Sequence, residues 1–95
     1  MAFFPFSGAP KLSGEAAVDF ASLNAGAQAS LDVTIKGLKT SDIIHINFPS
    51  WPTASTISIM RWRIKAANTL EITIRNHHAS DAENMASQTM KYIVF

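Results

Sequence analysis

A pair of adjacent histidines is the first place where this chain could do chemistry. His77 and His78 stand in Asn76-His77-His78-Ala79-Ser80-Asp81-Ala82-Glu83, with two carboxylates close behind. Imidazoles and carboxylates together can hold a transition metal. On an extended chain, however, neighbouring side chains point to opposite sides, so one ion is hard for both rings to share. The segment therefore reads as a solvated loop, and no metal is expected. His45, the third histidine, falls mid-strand on a polar face and reads as an exposed or contact residue rather than a base. Nucleophilic catalysis needs a serine or cysteine beside an oriented base. The chain has no cysteine, and its serines form no Gly-x-Ser-x-Gly elbow. Its four glycines are isolated, each in its own turn, so no phosphate-cradling loop forms. The expectation is a protein that is not an enzyme and uses no cofactor.

The residues suited to gripping a surface are more informative. Arg61, Arg63 and Lys65 alternate along one stretch and project on one face, with Arg75 on the same face of the next. This basic stripe reads either as an ordinary solvated face, partly neutralised by Glu71, or as a contact for an acidic partner surface. Phe3, Phe4 and Phe6 lie in a segment broken by Pro5 and Pro10, which is neither helix nor central strand. It reads as an extended arm, folded back over its own domain or inserted into a neighbour. Trp51, between Ser50 and Pro52, reads either as an exposed contact residue or as a cap over one end of the core. Trp62 is expected in the core. The candidate protein-interface residues are thus Phe3, Phe4, Phe6, Trp51, Arg61, Arg63 and Lys65.

At 95 residues the chain is one domain, with an arm over residues 1–14 and a folded unit over residues 15–95. Hydrophobic residues make up 47% and charged residues 16%, too apolar a balance for a disordered chain. The core is nevertheless thin, because a domain this small buries only about 60–65% of the surface its unfolded chain exposes. No disulfide can staple it, so help must come from packing or from a partner subunit. A net charge of +1 gives no field that calls for nucleic acid or an anionic membrane. No apolar run approaches the ~18 residues that span a bilayer. The apolar start lacks a basic flank and does not read as a signal peptide.

Period-two alternation runs through most of the chain. Residues 17–21 form a short strand, and Asn24-Ala25-Gly26-Ala27 a turn. Leu31, Val33 and Ile35 share one face of residues 28–36. Ile44, Ile46 and Phe48 share one face of residues 42–49. Ile57 and Ile59 take one parity, then Met60, Trp62 and Ile64 the other, which predicts a β-bulge near Ile59-Met60. Leu70, Ile72 and Ile74 alternate with Glu71, Thr73 and Arg75. A three-residue loop, Ala66-Ala67-Asn68, would pair Ile64 with Leu70, Trp62 with Ile72 and Arg63 with Glu71, with Asn68 in the left-handed region. Residues 76–88 read as a long polar connection. The one place for a helix is residues 80–88, with Ser80 as cap and Glu83 three residues on. Met90, Tyr92 and Val94 close the chain as a strand. The pattern predicts an all-β fold: a small antiparallel β-sandwich, jelly-roll or immunoglobulin-like, of about six to eight short strands, with an extended N-terminal arm.

Five motifs taken in order carry a resemblance. They are Val18-Asp19-Phe20-Ala21-Ser22-Leu23; Ala25-Gly26-Ala27 with Leu31-Asp32-Val33-Thr34-Ile35; Gly37-Leu38 with Asp42; Ala66-Ala67-Asn68-Thr69-Leu70; and the Tyr92-Ile93-Val94 ending. Together they resemble a small β-sandwich module of tailed-bacteriophage virions, found among head-decoration (cement) proteins and at tail-fibre ends. The aromatic arm is extra to that pattern, and Met90 stands where a tryptophan is common. The resemblance implies a structural virion protein without catalytic residues, made in the host cytoplasm and bound to the capsid surface. It would stabilise the head shell through contacts with the major capsid protein or another virion protein, and with its own copies as a homotrimer. No membrane is implied. The alternative is a tail- or fibre-associated module that binds a receptor or carbohydrate. A nucleic-acid-binding barrel using the basic stripe is a weaker third reading.

Overall fold

Two faces of alternating residues become two small sheets. The computed structural model describes residues 10–52 and 55–95, so the arm phenylalanines Phe3, Phe4 and Phe6 lie outside the described residues. Six strands follow one another: β1 (Leu12–Phe20), β2 (Gln28–Thr34), β3 (Ile44–Asn47), β4 (Ile57–Ala66), β5 (Thr69–Asn76) and β6 (Ala86–Val94). They form two three-stranded sheets, ordered β1-β6-β3 and β2-β5-β4. Every pairing is antiparallel. The fold is all-β, and no helix occurs among the described residues.

The core lies between the inward parities of both sheets. Val18, Phe20, Met90 and Val94 meet Val33, Leu70, Ile72 and Ile74, all at most 8% exposed. Each such side chain contributes about 1.5–3 kcal/mol of burial. Phe20, Phe48 and Trp51 form an aromatic cluster at one end, with ring centroids 5.2–5.6 Å apart. Gly14 faces Tyr92 across β1 and β6, where a Cβ would lie 2.8 Å from the phenol oxygen. The glycine thus leaves room for a ring that helps cover the core.

The β4–β5 hairpin follows the expected register. Ile64 pairs with Leu70, Trp62 with Ile72 and Arg63 with Glu71. The ladder skips Met60, the bulge the parity switch requires. Asn68 has φ 63°, in the left-handed region. The closure differs from the expected three-residue loop. Ala66 pairs with Thr69, leaving a two-residue turn, and Lys65 becomes a second bulge. Contacts outside the hairpin favour this closure. The Asn68 amide donates to Leu38 O, its carbonyl accepts from Ile35 N, and its Oδ1 accepts from Gly37 N.

Two further expectations are corrected. β1 begins at Leu12, so residues 12–14 belong to the sheet, paired with Val94, Ile93 and Tyr92. Residues 80–88 hold no helix. Glu83 instead forms a bridge with Leu23, and its carboxylate accepts from Ser55 and Thr56 rather than serving a helix cap. The residues beyond it are drawn into β6.

Candidate protein-binding surface

The β2-β5-β4 sheet turns a polar face outward, and its central strand is buried even there. Glu71 is 9% exposed and Thr73 2%. Arg63 Nε donates to Glu71 Oε1 at 2.8 Å. Lys65 Nζ reaches Asp32 Oδ2 at 3.2 Å and Glu71 Oε2 at 3.9 Å. The lysine thereby sits between two carboxylates that β2 and β5 place directly opposite each other. Two of the three stripe cations are therefore matched within the sheet. Arg61 and Arg75 have no acidic partner among the described residues, and both are exposed.

Apolar exposure gathers elsewhere, on the open side where β3 and β4 form the facing edges of the two sheets. Trp62 is the expectation most clearly revised. Its parity points inward, but β4 is an edge strand, so the indole sits at the rim and is 42% exposed. Its Nε1–H donates to Ile44 O at 3.3 Å, bridging the two sheets. Ile43 is also exposed here, at 44%; Met60 on β4 and Ile93 on β6 are exposed at 48% and 41%.

Trp62 divides this side into two grooves. One, about 330 Å³, is lined by Ile46, Phe48, Trp51, Ile57, Ile59 and Trp62, among others. The other, about 420 Å³, is lined by Thr40, Asp42, Ile43, Ile44, Trp62 and Ile64, with Arg63 at its edge. Arg63 thus belongs to the ion network and to the groove at once. Trp51 is half-buried and caps the core end rather than standing free.

His77 and His78 serve loop geometry. His77 Nε2 lies 2.5 Å from the Ser58 hydroxyl, whereas His78 Nδ1 accepts from the amides of Ser80 and Asp81. His45 is exposed, its ring edge-on to Phe95. Among the described residues no three His, Asp or Glu side chains converge as a metal site.

Two carboxylates have lowered pKa values. The Lys11 ammonium, 2.8 Å away, and the Lys39 amide hold Asp42 below its ordinary value. The Ser55 hydroxyl, helped by the Thr56 amide, does the same for Glu83. The Lys11–Asp42 pair ties the start of β1 to the rim of the second groove.

Sequence reasoning missed Asn76, which is fully buried. Its Nδ2 donates to Leu23 O and Asp81 O, both at 2.9 Å. Its Oδ1 accepts from the Thr56 hydroxyl at 2.8 Å and the His78 amide at 3.0 Å. One side chain thus joins three loops. A signal was present: Asn76 continues the inward parity of Leu70, Ile72 and Ile74. In comparisons with known proteins, the chain matches no family model, no curated protein and no solved structure.

Proposed function

We infer that the protein is a structural virion protein: a capsid decoration, or cement, protein of a tailed bacteriophage that binds the head shell. The observation that carries a surface-holding role is the apolar β3–β4 side. Trp62 and Ile43 are exposed together there, Trp62 lining both grooves and Ile43 the second. Exposed aromatics next to concave apolar surface are the usual anchors of protein contacts. The assignment to a phage head rests on the motif resemblance over residues 15–95. In this reading Trp62 and the grooves seat on a shell protein, Arg61 adds an electrostatic contact at the rim, and copies of the chain associate as a trimer around the shell's symmetry axes.

The carbohydrate-binding alternative draws less support. It would use an exposed aromatic in a loop-built cleft, and Trp51 is stacked against Phe20 and Phe48. Cosedimentation with shells assembled from a tailed-phage major capsid protein of the same virion tests the reading. Binding should be saturable and should be lost in Trp62→Ser. Shells that never retain the chain, with host-surface glycans that do, would overturn it in favour of the tail module.

A further inference from the structure

The second groove lies next to the point where the undescribed N-terminal segment joins the fold. Lys11 N donates to Val94 O, extending the β1–β6 ladder by one residue. Val94 is flanked by Leu12 on one side and Ile44 on the other. Two strand spacings, about 10 Å, therefore separate the start of β1 from the start of β3. The Lys11 side chain crosses that gap to Asp42, which itself lines the groove.

Residues 1–9 carry no charged side chain and three phenylalanines. Fully extended, nine residues reach about 30 Å, enough to cross the gap of about 10 Å from the start of β1 and run along the groove that Trp62 lines. Tethering about 10 Å from that rim gives the segment a high effective concentration at the groove, well above what a separate peptide or a second copy has in dilute solution.

From the groove, the tether and this composition we propose that the β3–β4 groove seats the chain's own N-terminal segment, with phenylalanines from Phe3, Phe4 and Phe6 packed beside Trp62. Assembly onto a partner then exchanges an internal occupant for an external one at the same surface. The proposal concerns the isolated chain, so it stands or fails separately from the virion reading.

The test uses a Trp51→Phe background, which leaves Trp62 as the only tryptophan. At concentrations where sedimentation shows a monomer, Trp62 should be shielded from acrylamide. Removing residues 2–9, or replacing Phe3, Phe4 and Phe6 with serine, should shift its emission to the red and abolish the shielding, with the far-ultraviolet dichroism unchanged. A synthetic peptide of residues 1–9 should restore shielding to the truncated chain. In the intact chain, p-benzoylphenylalanine placed at position 4 should crosslink to β3 or β4 within one monomer. Trp62 equally exposed with and without the segment would overturn the proposal. So would crosslinks found only between chains, which would assign the groove to a second copy.

Discussion

Replacing Asn76 with alanine should be among the most damaging single changes outside the apolar core. The side chain is fully buried and makes four hydrogen bonds. The bond to Leu23 O is wholly buried, but that carbonyl still accepts from the Glu83 amide, so the loss is the net worth of one buried bond, about 0.5–1.5 kcal/mol. The other three are partly buried, so water replaces much of what they lose, at a few tenths to 1 kcal/mol each. The total is about 3 kcal/mol, a large share of the ~5–15 kcal/mol that a domain usually has. For a domain of this size it corresponds to a fall in Tm of roughly 12–24 °C. Thermal and urea unfolding followed by circular dichroism would measure it, with an unchanged urea m-value showing that the folded state keeps its extent. A loss below about 1 kcal/mol would refute the reasoning, because it would mean the three loops do not depend on their shared side chain.

Other perturbations test the remaining devices. Asn68→Ala should cost about 1–2 kcal/mol from its positive φ and also lose the bond to Gly37 N; Asn68→Gly should cost less, and urea midpoints would rank them. Gly14→Ala should destabilise by about 1–3 kcal/mol through overpacking against Tyr92, and by less in a Tyr92→Phe background, where the nearest atom is gone; a double-mutant cycle measures the coupling. Asp42 and Glu83 have folded pKa values below their ordinary 3.8 and 4.5, so their contributions are complete above those values and are lost as pH falls through the folded ones. Stability should therefore drop on acidification below about pH 4.5, and Ser55→Ala should flatten the Glu83 share of that slope. An unchanged stability-versus-pH curve in Ser55→Ala would exclude the Ser55 hydroxyl as the cause.

Parity made much of this fold legible. It assigned the faces of β2, β4 and β5, required the bulge at Met60, and fixed the hairpin register from Ile64–Leu70 to Arg63–Glu71. Parity reports which way a side chain points, not how far its strand lies from the sheet centre. Trp62 points inward from an edge strand and so ends at a rim. Glu71 and Thr73 point outward from a central strand and so end buried beneath their neighbours. Strand order is a non-local property, and nothing along β4 or β5 taken singly announces it. Loop roles were hidden for a similar reason. Asn76 and Glu83 act through partners more than 25 residues away, Leu23 and Ser55 among them. Ser80 and Glu83 met the local rule for a helix cap, but the Leu23 bridge and the Ser55 hydroxyl claimed that segment first.

How β4 would meet a partner in that reading follows from its two bulges. Among the described residues, each of the four outer strands leaves an edge open, and an open edge can accept another strand through its backbone. Such addition requires a continuous, evenly spaced row of amides and carbonyls. β4 breaks that row at Met60 and again at Lys65, leaving short regular runs between them. β3, across the opening, has only four residues. Neither edge makes a good template for a long added strand. The same bulges strengthen the local twist, and Met60, at the first of them, is exposed. The open side is thus poorly suited to backbone pairing and well suited to side-chain docking. Contact there should depend on Trp62 and the apolar groove walls, and should survive changes to the partner's backbone pairing capacity. A proline substituted into the partner's docking segment, away from its apolar anchors, should therefore weaken binding little, whereas Trp62→Ser should abolish it; equal losses would point to strand addition instead.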